Sequence, residues 1–247
     1  MPPSSRKRNK GKDRKARQLA KKEVKDRVIA RALWMTCVKS TKCSHGCALP
    51  IPDDHPVSNF MDQYYINIDN NRMPTADNLR NLLETHKEVW NNKSYRALAI
   101  GILIRIGTND LLEKRCDVSW PLCFAQSIVL LEHYNGTEDD LDSILYNPVV
   151  RSKWNDIHPE LITNERDALK FFRKRVSCKC LKKMHLEARK TIPKLGMCWC
   201  CCNKEHERSA LFVCSRCMVQ QYCSRECQVK AWPEHKRQCD RTLCSES

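Results

Sequence analysis

The sequence predicts a mainly α fold, a helical domain followed by a small finger held by metal. Three observations predict it. Apolar residues between positions 32 and 196 recur at the 3.6-residue period of a helix, and no stretch alternates with period two for long. From position 197 the aliphatic pattern stops, and cysteines in close pairs take over as the organising feature. Positions 1–31 carry 13 basic against 3 acidic side chains, which is +10 of the chain's net +15.

The expected organisation is a basic disordered tail over 1–31, a helical domain over 32–196, the finger over 197–241 and a C-terminal tail over 242–247. The tail has few large apolar residues, among them Leu19, Val24, Val28 and Ile29, and cannot bury enough surface to fold alone. Two readings of it stay open. One is a solvated segment with a frayed helix over 15–32. The other is a nuclear-import or nucleic-acid-contacting arm, in which Arg6, Lys7, Arg8, Lys10, Lys12, Arg14 and Lys15 meet phosphates without regard to sequence.

In the helical domain, Leu79, Leu82, Leu83, His86, Val89 and Trp90 fall on one helix face, with Thr75 or Asp77 as N-cap. A second helix is expected over 95–106, stopping at Gly107. Ser119 can cap a third, with Pro121 in its first turn, Gly136 beyond its end, and Phe124, Ile128, Leu131 and Tyr134 as its buried stripe. A short helix follows from Thr137 and ends before Pro148. The last begins at Thr163, carries Ala168, Leu169, Phe171 and Phe172, and continues through Leu181 and Leu186 to about Thr191, where Pro193 stops it. These stripes read as core, not as a ligand pocket.

Composition narrows the function classes. With six glycines and no GxGxxG or GxxxxGK pattern, a Gly-rich phosphate loop is not expected. The longest aliphatic run, residues 98–106, contains Gly101 and Arg105 and falls far short of the roughly 20 apolar residues of a bilayer span. No membrane association is expected. The start, Met-Pro-Pro-Ser-Ser-Arg-Lys-Arg, has no apolar segment of the secretory kind. The 17 cysteines therefore read as reduced thiols of an intracellular protein, nuclear in preference to cytoplasmic, with many of them holding metal.

The spacing of these cysteines is specific. Cys198 and Cys201 are separated by two residues, as are Cys214 and Cys217; Cys223 and Cys227 are separated by three, as are His235 and Cys239. Short intervals let both side chains of a pair reach one ion, with sulfur about 2.3 Å from zinc. Three intervening residues suit one helical turn. Four pairs make eight ligands, two complete tetrahedral zinc sites with no position left for an activated water. Such sites support structure, not hydrolysis. A segment this short has little core of its own, and metal binding supplies its folding free energy.

The stretch Cys214-Ser-Arg-Cys-Met-Val-Gln-Gln-Tyr-Cys-Ser-Arg-Glu-Cys-Gln-Val-Lys-Ala-Trp-Pro-Glu-His-Lys-Arg-Gln-Cys239 resembles the MYND-type zinc finger, most specifically in Tyr-Cys-Ser-x-x-Cys-Gln followed by Trp232, His235 and Lys236. The resemblance covers residues 198–239. It implies a cross-brace: Cys198, Cys201, Cys223 and Cys227 on one zinc, and Cys214, Cys217, His235 and Cys239 on the other. It also implies a hairpin near 211–213 and 220–222 and a helix from Ser224 to about Trp232. The first knuckle departs from the family by its spare thiols, and Cys200 or Cys202 remains an alternative partner there. The remainder of the chain, including the segment from Cys178 to Lys190 ahead of the finger, is similar to algal MYND-domain proteins of unassigned role.

MYND fingers bind short proline-containing peptides, so the resemblance implies a protein-interaction adaptor. It marks Ser215, Gln228 and Trp232 as peptide contacts. On a helix Gln228 and Trp232 share a face, where an indole beside an amide can grip a proline ring and a backbone group together. The alternative for Trp232 is a core role, for Gln228 a solvated one, and Tyr222 reads as packing. The rival functions are a nucleic-acid-associated protein acting through residues 1–31 and, more remotely, a methyltransferase-like enzyme. No catalytic residue is expected: no cofactor motif is present, and Cys116 and Cys123 read as buried structural thiols without a positioned histidine. A third zinc is a further expectation, on Cys43, Cys47, Cys178 and Cys180 with His45 as an alternate ligand and Gly46 allowing the turn; plain reduced thiols are the other reading.

Overall fold

A computed structural model describes residues 5–38, 51–71, 76–114, 119–133, 165–201 and 206–244. Among these the fold is mainly helical. The helices are α1 (Ser5–Val38), α2 (Pro56–Asn71), α3 (Ala76–Thr85), α4 (Lys87–Asn91), α5 (Lys93–Glu113), α6 (Ser119–His133), α7 (Glu165–Arg175), α8 (Lys179–Thr191) and α9 (Arg225–Cys244). Four two-residue strands lie between α8 and α9: β1 (Leu195–Gly196), β2 (His206–Glu207), β3 (Phe212–Val213) and β4 (Gln221–Tyr222).

The core gathers around α5, which touches α1, α2, α4, α6, α7 and α8. Ile102, Leu103 and Ile106 of α5 are fully buried with Phe60 and Tyr64 of α2, Trp90 of α4, Phe124 of α6 and Phe172 of α7. The Phe60 and Trp90 rings meet edge to face at 5.0 Å, an arrangement their quadrupoles favour. Tyr64 keeps its hydroxyl paired by bonding to the Ser127 hydroxyl oxygen at 2.7 Å. Asn92 caps α5, its side-chain oxygen accepting from the amides of Ser94 and Tyr95.

Several expectations are corrected. The basic segment is helical from Ser5, beyond the frayed helix expected over 15–32, and positions 31 and 32 both lie inside α1. Trp34 and Ala30 are buried, and the Trp34 indole N–H donates to Asp62 at 2.8 Å. Arg31 holds the same carboxylate through both oxygens, at 3.1 and 2.7 Å. Once this end is packed, the Lys, Arg, Ala and Gln preceding it, all good helix formers, extend the helix at little cost.

Helix α5 runs past Gly107 to Glu113. Glycine stands at 107 for packing, since a Cβ there would lie 2.2 Å from the Phe172 ring. The helix stops at Lys114, which takes the left-handed conformation at φ 51° and returns its amide to the Asp110 carbonyl. The single helix expected over 79–90 is broken at His86 between α3 and α4, and His86 packs its ring edge-on against Phe60. The helix expected from Thr163 to Thr191 is two helices. Cys178, extended at φ −128°, starts the second, with its sulfur accepting from the Leu181 amide at 3.4 Å. Leu186, through which the helix was expected to continue, is exposed, and the buried face of α8 is Leu181, His185 and Ala188. Helix α6 matches its expected start and buries Phe124, Ile128 and Leu131. The helix expected from Thr137, the Tyr134 side chain and the Leu79 side chain lie outside the described residues.

Candidate metal centres

Two antiparallel ladders frame the finger. One pairs β1 with β2; the other pairs β3 with β4, with Phe212 opposite Tyr222 and Val213 opposite Gln221. The second is the hairpin that the resemblance implied, and the first was not foreseen. The Cys214 amide donates to the Gln220 carbonyl, and the Trp199 amide to the Gln221 carbonyl, so each cysteine knuckle is pinned to the approach or the body of β4. Ser224 then starts α9, its hydroxyl accepting from the Cys227 amide at 3.2 Å.

Helix α9 was expected to end near Trp232 and instead continues through Pro233 to Cys244. A proline inside a helix removes one backbone bond and crowds the preceding turn. Here the next two turns carry His235 and Cys239, and both side chains are held in one cluster behind that proline. Fixing these two ligands on one helical face offsets the lost bond.

The eight side chains fall into two groups of four: Cys198, Cys201, Cys223 and Cys227, and Cys214, Cys217, His235 and Cys239. Within each group all ligand atoms lie within 4.8 Å of one another. The sulfur of Cys223 is 3.7 Å from that of Cys201 and 3.4 Å from that of Cys227. The His235 Nε2 is 3.3 Å from the Cys214 sulfur and 3.6 Å from the Cys217 sulfur. A tetrahedral zinc with ordinary bond lengths requires edges of about 3.8 Å between two sulfurs and about 3.6 Å between sulfur and nitrogen. Both groups fit such an ion, and Nε2 is the ligating atom of His235. The second group is wholly buried, and the first is partly open at Cys201, Cys223 and Cys227.

The clustered thiols also shift one another's ionisation. Burial works to raise the Cys198 thiol, but donors including the amides of Cys201, Cys223 and Cys200 outweigh it and bring the group to about 6. Cys214 is likewise lowered, against burial, by the amides of Cys217 and Arg216. Cys223 is pushed up to about 12, first by its contact with Cys227. Cys239 is also pushed up to about 12, by burial and then by the neighbouring Cys217 and Cys214. One thiol in each group ionises readily and another resists. A divalent ion removes that conflict by pairing with every thiolate at once.

Two zinc ions therefore suit these residues, and all four positions at each site are protein ligands. Cys201 joins the first cluster, while Cys200 lies half-buried outside it and Cys202 lies outside the described residues. Of the residues expected to form a third site, Cys43, His45 and Cys47 lie outside the described residues. Cys178 is the buried cap of α8, and Cys180 is exposed.

Ser215 is exposed in the second knuckle, and Gln228 and Trp232 are half-buried on α9. The Trp232 ring packs 5.7 Å from His235, and Tyr222, fully buried, stands edge-on to the same imidazole at 6.0 Å. The packing role expected of Tyr222 is what its burial shows. No spacing pattern marks the set of exposed apolar side chains on the finger, Phe212, Val213, Met218 and Val229. The period-two rule that buries every second strand residue fails for β3, which is only two residues long and exposes both.

Comparison with known proteins agrees with this geometry. Residues 198–239 match the family model described as MYND finger. A 32-residue stretch is 56% identical to the human (Homo sapiens) protein named histone-lysine N-methyltransferase SMYD3, and 50% identical to the mouse (Mus musculus) protein of that name. Each match takes in 13% of this chain and 8% of the relative, and lies within the finger. No solved structure matches the chain. Residues 198–239 are a MYND finger, a protein-interaction domain with two zinc sites.

Proposed function

We propose that this MYND finger makes the chain a non-catalytic adaptor that takes a short proline-containing peptide on Ser215, Gln228 and Trp232. The observation that carries the reading is the state of α9. Gln228 and Trp232 sit four residues apart, so they share a face, and neither is wholly withdrawn into the core. The Trp232 ring packs against His235, and its partial exposure leaves surface on which a proline can rest. An aromatic wall beside a polar amide suits an extended, preordered peptide, which loses little conformational freedom on binding.

Exposed Phe212, Val213, Met218 and Val229 add apolar surface on the same small unit. The relatives' methyltransferase name does not extend to this chain, because the match reaches only the finger. Titration of the full chain with proline-containing peptides tests the proposal. Trp232→Ala is expected to weaken binding at least tenfold while the protein keeps both zinc ions; unchanged affinity overturns the assignment. S-adenosylmethionine is expected not to bind, and measurable binding would overturn the non-catalytic part.

A further inference from the structure

We propose that α1 is an outward-facing helical arm that docks on the phosphate backbone of nucleic acid through Arg14, Arg17, Lys21 and Lys25. These four residues are exposed and follow one another at intervals of three or four, so they line one face. Projected on a helix they occupy an arc of about 80°, and the stripe is about 16 Å long. No Asp or Glu between positions 5 and 31 falls in that arc, since Asp13, Glu23 and Asp26 project elsewhere. The spacing of Arg6 and Lys10 continues the series toward the start of the helix.

The direction of the stripe is set by the root of the arm. Ala30 and Trp34 are buried on nearly the opposite side of α1. Trp34 and Arg31 both bond to Asp62, which is itself fully buried, and Arg31 further reaches the Asp53 carbonyl at 2.8 Å. The cations are therefore presented from a fixed base and not from a random coil. A row of charges at one-turn intervals matches a linear polyanion, which gains affinity by releasing condensed counterions.

The exposed apolar residues of α1 argue against the other polyanionic surface, a membrane. They are Leu19, Val24, Val28, Ile29 and Leu33, which spread over about 220° of the helix. An interfacial helix needs one continuous apolar face.

Fluorescence anisotropy with the full chain and labelled duplex DNA, duplex RNA and a single strand of one sequence tests the proposal. Two variants carry the same charge change. One is R14Q, R17Q, K21Q and K25Q together; the other is K182Q, K183Q, R189Q and K190Q together, on exposed positions of α8. The first is expected to bind at least tenfold more weakly at low salt and to flatten the plot of log K against log salt by about 3.6 on duplex DNA. The α8 variant is expected to keep the slope, and R14K, R17K, K21R and K25R together to keep both slope and affinity. Equal losses in the two glutamine variants would show a net-charge effect and overturn the docking face. Absence of binding to any of the three nucleic acids, or binding only to phosphatidylserine vesicles, overturns the proposal outright.

Discussion

Asp62 ties α1 to the body through hydrogen bonds from Arg31 and Trp34. Its carboxylate is fully buried and accepts from two side chains thirty residues upstream. Asp62→Ala leaves the Arg31 guanidinium, only 20% exposed, without its main counter-charge and the Trp34 indole without an acceptor. A loss of about 3 kcal/mol is expected, because breaking one partner out of a buried pair strands the other. Urea midpoints measure it, and Asp62→Asn, which still accepts from Trp34, is expected to cost less. Gly107 makes the opposite kind of demand. The ring it faces is 0% exposed and has nowhere to go, so Gly107→Ala is expected to destabilise by about 1–3 kcal/mol through overpacking, despite alanine's better helix propensity. A stabilised variant in the same denaturation series would refute that account. Among the thiols, burial pushes Cys123 up to about 11, while Cys180 is exposed. Alkylation mapped by mass spectrometry is expected to modify Cys180 in the native protein and Cys123 only after unfolding.

At the scale of elements, the finger was the legible part and the helical domain the less legible one, for a physical reason. Zinc ligands come in pairs set by local geometry, so the intervals in Cys198 to Cys201 and His235 to Cys239 carry their meaning within a few residues. Helix boundaries in the body answer to partners far along the chain. The break at His86 is accompanied by its packing on Phe60, and the continuation through Gly107 by Phe172; neither is visible from the neighbouring sequence. The anchoring of α1 depends on Asp62 in the same way. The helix expected to end near Trp232 runs on through Pro233, where local propensity would stop it, because two ligands further on share an ion. Helix α9 contributes Cys227 to one cluster and His235 and Cys239 to the other, so it couples the two sites. Cys227→Ser is accordingly expected to lower zinc content from two ions per chain to one or fewer, because the first zinc is lost and the second is weakened. Elemental analysis with a competing chelator checks this; an unaltered affinity at the second site would mean the clusters are independent.

At the scale of the molecule, the two regions owe their stability to different sources. The body has a core of large side chains around α5, whereas the buried cluster of the finger is four cysteines and Tyr222. With so little apolar area, the finger depends on metal, and structural zinc contributes roughly 10–16 kcal/mol of binding per site in small fingers. The connection runs through the pairing of β1 with β2 and the Arg208 amide, which donates to the Lys194 carbonyl, while within the body the Arg166 side chain donates to the Ile192 carbonyl at the end of α8. A chelator is therefore expected to unfold the finger and leave the helical body standing. In far-UV circular dichroism the loss should correspond to α9, 20 residues, with α1 to α8 retained. Limited proteolysis should then cut beyond position 194 and spare the body. Acid should act in the same direction, because protons compete with zinc for the ligand thiolates: zinc retention falls as pH falls, and is restored on return to neutrality with metal present. If the whole helical signal instead disappears in step with zinc release, the body draws its stability from the finger, and the two regions fold as one unit.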